Sequence, residues 1–165
     1  MADNHSFDVV SKIDMPEVNN AVNQAAKELL QRYDLKNSNS SIELNQKEYS
    51  IVLKSSDEYM LKSVNELLRL KLVKRNVSPK ALNYGDVEDS AGSSVCQKIT
   101  LQNGIPQDKA KQMVKDIKAK KMKVQSQIQE DQVRVIAKKI DDLQEVMRLL
   151  KEKDYDIHLE FINYR

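Results

Sequence analysis

Ile42-Glu-Leu-Asn-Gln-Lys-Glu-Tyr-Ser-Ile-Val-Leu53 and Val124-Gln-Ser-Gln-Ile-Gln-Glu-Asp-Gln-Val-Arg-Val135 have the same layout: two alternating runs around a polar break. Alternation with period two reads as a strand, and two such runs around a short polar break read as a hairpin. The fixed offset that carries Ile42, Ile51 and Leu53 onto Val124, Val133 and Val135 also carries Leu61 onto Leu143 and Val64 onto Val146. It brings Leu67-Leu68 onto Leu149-Leu150 as well, so a helix following each hairpin keeps its apolar face. Self-similarity at one offset marks a duplicated supersecondary unit. Two copies of a small open-sheet unit make a binding platform more often than a catalytic cleft.

Working outward, Ser6–Ile13 alternates and reads as a strand. Pro16 then opens a helix, with Val18, Val22, Ala25, Ala26 and Leu29 at helical spacing to about Asp34. Asp57 starts the helix of the first copy, which ends at Asn76–Pro79. Ala81–Asp89 is strand-compatible, and Glu88–Ser94 has the composition of a linker. Val95–Leu101 is a strand, Pro106–Lys121 a helix, Asp141–Lys153 a helix and His158–Tyr164 the last strand. Both halves thus read β-α-β-β-α-β, the split β-α-β pattern. The expected fold is α+β: two tandem ferredoxin-like, RNP-like domains, with antiparallel sheets and helices on one face. The expected boundaries are 1–90 and 91–165, with exchange of terminal strands between the domains or mutual covering of the two sheets left open.

The chain has 165 residues, 32% charged, with a net charge of +2. Through Ser90 there are 12 Lys+Arg against 14 Asp+Glu, and from Ala91 onward 15 against 11, so the second half is the better candidate for an anionic ligand. The lone Cys96 rules out an internal disulfide and suits a reducing compartment. Met1–Asp8 is polar and shows no secretory signal, and no apolar run approaches the ~20 residues needed to span a bilayer. The expected location is cytoplasmic.

Catalytic patterns are missing. His5 and His158 do not stand at motif spacing with Cys96, there is no CxxC or HExxH, and three glycines are too few for a phosphate-cradling loop. Cys96 reads as a strand residue, and Asp141-Asp142 as charge opposing a helix dipole. No enzyme activity, cofactor or metal is expected.

Binding chemistry is easier to place. Parity turns Val124, Ser126, Ile128, Val133 and Val135 toward the helices and Lys98, Lys123, Gln125, Gln127, Arg134 and Lys138 toward the other face, with Lys120, Lys121 and Lys139 at its rims. Cations suit phosphates, and glutamine amides reach base edges or sugars. A solvated sheet face would carry the same residue types. The second hairpin has no aromatic to stack a base, and Tyr164 is the one aromatic of outward parity in this half, so RNA binding should be mainly electrostatic. The candidate nucleotide- or nucleic-acid-binding set is Lys98, Lys121, Lys123, Gln125, Gln127, Arg134, Lys138, Tyr164 and Arg165. In the first half the same parity exposes Val10 and Val52, which would suit docking of a protein partner instead.

The stretches Ser6-Phe-Asp-Val-Val-Ser11, Glu17-Val-Asn-Asn-Ala-Val22, Gly85-Asp-Val-Glu-Asp-Ser90, Lys123-Val-Gln-Ser-Gln-Ile-Gln129, Lys138-Lys-Ile-Asp-Asp-Leu-Gln-Glu-Val-Met147 and Phe161-Ile-Asn-Tyr-Arg165 together resemble the bacterial YajQ family, in order and end to end. The resemblance implies a cytosolic protein of two ferredoxin-like, RNP-like domains that binds nucleotides or nucleic acid. With the basic, amide-rich face, the leading expectation is a non-enzymatic protein that binds nucleotide or single-stranded RNA. Some members of that family are cyclic di-GMP effectors that engage a transcription factor.

Overall fold

A computed structural model describes residues 4–165, so Met1–Asp3 of the polar N-terminal stretch lie outside the described residues. The elements run β1 (His5–Val10), α1 (Met15–Gln31), β2 (Ser41–Asn45), β3 (Ser50–Ser55), α2 (Glu58–Lys74), β4 (Leu82–Ser90) and β5 (Ser94–Leu101). Then follow α3 (Gln107–Ala119), β6 (Val124–Gln129), β7 (Gln132–Ala137), α4 (Ile140–Glu152) and β8 (Glu160–Ile162). Local chemistry sets several of these boundaries. The Asp14 and Asp57 carboxylates cap α1 and α2 by accepting from the Glu17 and Met60 amides at 3.3 and 2.7 Å. Asn76, at φ +62°, ends the α2 segment in the left-handed region that asparagine tolerates.

Two antiparallel four-stranded sheets result, with orders β6-β7-β1-β8 and β2-β3-β5-β4. The α+β class with four helices is therefore as expected, but the strands are shared out differently from a simple tandem. β1 pairs with β7 and β8 of the second half, while β5 pairs with β3 and β4 of the first. The terminal strands are exchanged, and the boundary expected at 90/91 falls inside a hairpin. Ala91-Gly92-Ser93 is that hairpin's turn, with Gly92 and Ser93 at φ +74° and +61°, a composition that serves a tight reversal as well as a linker. One compact unit is Ile13–Gln102, and the other combines the N-terminal segment to Lys12 with Asn103–Arg165.

The discontinuous unit has β1, α3, β6, β7, α4 and β8 in the ferredoxin-like β-α-β-β-α-β order. Ile13–Gln102 reads α-β-β-α-β-β. Its last strand, β5, takes the central place that the first strand occupies in the other unit, so it is a circularly permuted copy. Each has its own core. Val18, Ala25, Ile51, Leu53, Val64, Leu68 and Ile99 centre one, and Phe7, Val9, Met113, Val133, Val135, Val146 and Leu150 the other. The exchange also redistributes charge. Ile13–Gln102 holds 12 Lys+Arg and 12 Asp+Glu, leaving 15 against 13 of the chain's 27 and 25 for the discontinuous unit, a smaller bias than the linear halves suggest.

Candidate nucleotide-phosphate cleft

Register decides which side chains share the face of the β6-β7-β1-β8 sheet that points away from the helices. Phe7 and Val9 stand opposite Val135 and Val133 in the core, so Asp8 stands opposite Arg134, and Arg134 opposite Gln127. The neighbouring row is Gln125, Ile136 and Ser6. Past the ends of β6 and β7, beyond Gln125 and Ile136, lie Lys123 and Lys138. With Val124, Gln125, Ile136, Ala137, Lys139 and Asp142 they line a cleft of about 560 Å³ at the end of the sheet, bordered by residues of both parities. That volume is within the usual range of small-ligand sites, about 300–1,000 Å³. Three lysines thus border one concavity, together with Gln125, half-buried Ile136 and one acidic residue, Asp142. The cleft lies at the start of α4, where Lys139 is the cap residue and no side chain caps the first amides.

Of the nine residues singled out by sequence, Lys123, Gln125 and Lys138 come together here. Gln127 is exposed one row away, opposite Arg134. Lys121 is exposed in the turn after α3, at φ +53°, and does not line the cleft. Lys98 has the expected parity on a different sheet: it is on β5 opposite Val52, with its ammonium 3.9 Å from Glu48. Cys96, on the same strand, is half-buried.

Arg134 is engaged within the protein. Its Nε and Nη2 donate to Asp8 Oδ1 and Oδ2 at 2.8 and 3.3 Å, and Asn163 Nδ2 donates to Oδ2 at 2.9 Å. The Asp8 side chain is 2% exposed and that of Arg134 37%. The Arg134 hydrogen bonds hold the Asp8 carboxyl below the usual range, against the opposing effect of burial and with help from Asn163 and the charges of Arg134 and Arg165. Two of the three guanidinium nitrogens of Arg134 are thus committed to a buried carboxylate within the protein.

Tyr164 also departs from its expected face. Asn163 adopts φ +57°, which breaks the alternation after β8. The Tyr164 ring therefore lies on the helix side, 6.2 Å from Phe7, and its hydroxyl donates to Met147 Sδ at 3.1 Å. Arg165 pairs through its backbone with Ser6 at 3.1 and 3.2 Å. A second cleft of about 360 Å³ opens there, lined by His5, Ile140, Leu143, Gln144, Met147, Tyr164 and Arg165. Strand parity does not reveal it, although Ile140 at a helix start and Ile136 on a polar parity stand out in the sequence as misplaced apolar residues.

A carboxylate used for stability lies elsewhere in the same unit. Asp116 accepts from the Tyr155 hydroxyl at 2.7 Å and from Gln112 at 2.9 Å, with Lys153 at 3.1 Å. Burial raises its carboxyl, but these donors outweigh that and leave it lowered, while burial and the carboxylate push the Tyr155 phenol up. Among the described residues no group of three or more metal-ligating side chains is present, and no helix is long and apolar enough to cross a membrane.

Residues 5–165 match the family model described as "Nucleotide-binding protein YajQ-like". The chain belongs to the YajQ-like family. It is similar to a protein of Carboxydothermus hydrogenoformans named "Nucleotide-binding protein", 54% identical over 165 residues and covering 100% of both chains. A protein of Solibacter usitatus with the same name is 56% identical, over 100% of this chain and 99% of that one. One from Geobacter sp. strain M21 is 54% identical over 160 residues, 97% of this chain and 98% of its own. YajQ-like membership thus extends over both units, including the exchanged strands β1 and β5.

Proposed function

We propose that this YajQ-like chain binds the phosphates of a nucleotide or of single-stranded RNA in the Lys123–Lys138–Lys139 cleft, as a binding protein and not an enzyme. The observation that carries the reading is the convergence of three lysines and the Gln125 amide on one concavity of ligand size. The names of its relatives supply the ligand class. Ammonium groups neutralise phosphate without reading sequence, and Gln125 and Asp142 offer a donor and an acceptor for sugar or base. Cyclic di-GMP, the ligand that resemblance to some family members brings with it, belongs to the same chemical class. A cytoplasmic location suits such ligands.

The Lys123→Ala/Lys138→Ala double variant tests this by titration against GTP, ATP, cyclic di-GMP and a single-stranded RNA at two salt concentrations. Affinity is expected to fall about tenfold or more for every phosphate ligand. The slope of log affinity for the RNA against log salt should flatten by about 0.7 for each phosphate that is no longer neutralised. Unchanged binding in the double variant would place the site elsewhere.

Docking of a protein partner, such as a transcription factor, through a sheet face is the second reading. Half-buried Val52, between Glu43 and Lys98 on the β2-β3-β5-β4 sheet, supports it. Val10, expected on a free face, is buried at 2% exposure and does not.

A further inference from the structure

The phosphate cleft and the apolar cleft beside Tyr164 are bordered by the same two stretches of chain. Asn4 lines the first and His5 the second, and Lys139 lines the first and Ile140 the second. Consecutive Cα atoms lie about 3.8 Å apart, so the start of β1 and the start of α4 each contribute to both borders. Their chemistry differs. The first gathers three lysines. The second is lined by Tyr164, 61% exposed, and Ile140, 54% exposed, with Met147 and Gln144 also on its border. The hydroxyl bond to Met147 and the neighbouring Phe7 ring fix the Tyr164 plane. A ligand that is anionic at one end and flat and apolar at the other is complementary to the pair.

We propose that the Tyr164–Ile140 cleft seats the base of a nucleotide whose phosphates lie on Lys123, Lys138 and Lys139. The inference rests on the phosphate reading above and adds the subsite that distinguishes a nucleotide from bare phosphate. The base stacks on the free side of the Tyr164 ring and packs against Ile140. Gln144, whose amide is donor and acceptor in one group, lines the cleft and pairs with the base edge. The ring is what matters, so phenylalanine is an adequate replacement and alanine is not.

The test compares two probes on the full chain by calorimetry: GTP, which has a base, and inorganic tripolyphosphate, which does not. The wild-type chain is expected to bind GTP at least about tenfold more tightly than tripolyphosphate, within the range found for one base stacked on an aromatic ring. Tyr164→Ala should remove that preference and leave tripolyphosphate affinity unchanged, Tyr164→Phe should retain it, and Ile140→Ala should reduce it. Both side chains are largely exposed, so unchanged circular dichroism is expected, and should Tyr164→Ala lose it, Tyr164→Phe and Ile140→Ala carry the comparison. Equal binding of the two probes, or a GTP preference indifferent to Tyr164 and Ile140, overturns the base subsite while leaving the lysine cleft standing. Indifference of both probes to Lys123→Ala/Lys138→Ala overturns the phosphate reading and this inference with it.

Discussion

A fragment of residues 91–165 is expected to stay unfolded, whereas one spanning Ile13–Gln102 folds cooperatively. The first begins in the β4–β5 turn and lacks β1, which lies between β7 and β8 and supplies the fully buried Phe7 and Val9 to its core. Without β1, β8 has no strand to pair with, the β6–β7 hairpin is alone, and a lone hairpin is marginal in water. The second fragment holds all four strands β2-β3-β5-β4, both helices α1 and α2, and its own apolar core. Circular dichroism and urea melts of the two fragments check this. A native-like spectrum and a sharp transition for residues 91–165 would show that the strand exchange is not needed for folding.

Arg134→Ala is expected to lower the urea unfolding midpoint, because it strips the main charged partner from an Asp8 carboxylate that is 2% exposed. Among the described residues, the loss leaves the Asp8 carboxylate with Asn163 as a side-chain donor in place of the guanidinium. Lysine cannot reproduce the two-pronged contact, so Arg134→Lys should fall between alanine and wild type. The pH dependence has a definite sign. The native Asp8 pKa is lowered, so the pair contributes fully above the unfolded value of about 3.9 and is lost as pH falls through the native one. The difference between wild type and Arg134→Ala, measured by urea unfolding, should therefore shrink below about pH 4. A difference that holds constant from pH 7 to pH 2.5, or a variant as stable as wild type at pH 7, would contradict the structural role.

Local order is legible in the sequence because it rests on periodicity. The alternation of Ile51-Val52-Leu53 and Val133-Arg134-Val135 defines two hairpins, and the i, i+3, i+4 spacing of Leu61, Val64, Leu67 and Leu68 defines α2. Which strand joins which sheet is a long-range choice that no local pattern encodes, so a linear reading gives β1 and β5 the wrong neighbours. Lys98 consequently lands on the wrong sheet with its parity intact. The Asp8–Arg134 pair is visible in sequence only after β1 is set beside β7. Tyr164 defeats the pattern for a different reason: one left-handed residue, Asn163, reverses the alternation, and asparagine is a common tenant of such positions. The part of the site that sequence does place, Lys123, Gln125 and Lys138, lies on a single hairpin and its flanks, where local register suffices.

The most direct measurement is an amide chemical-shift titration of the full chain with GTP, read residue by residue. Perturbations are expected to concentrate on Lys123, Gln125, Ile136, Lys138, Lys139 and Asp142, extend to Ile140 and Tyr164, and leave Ile13–Gln102 largely silent. Shifts confined to Ile13–Gln102, or no saturable shifts at the start of α4, would contradict the assignment of the nucleotide site.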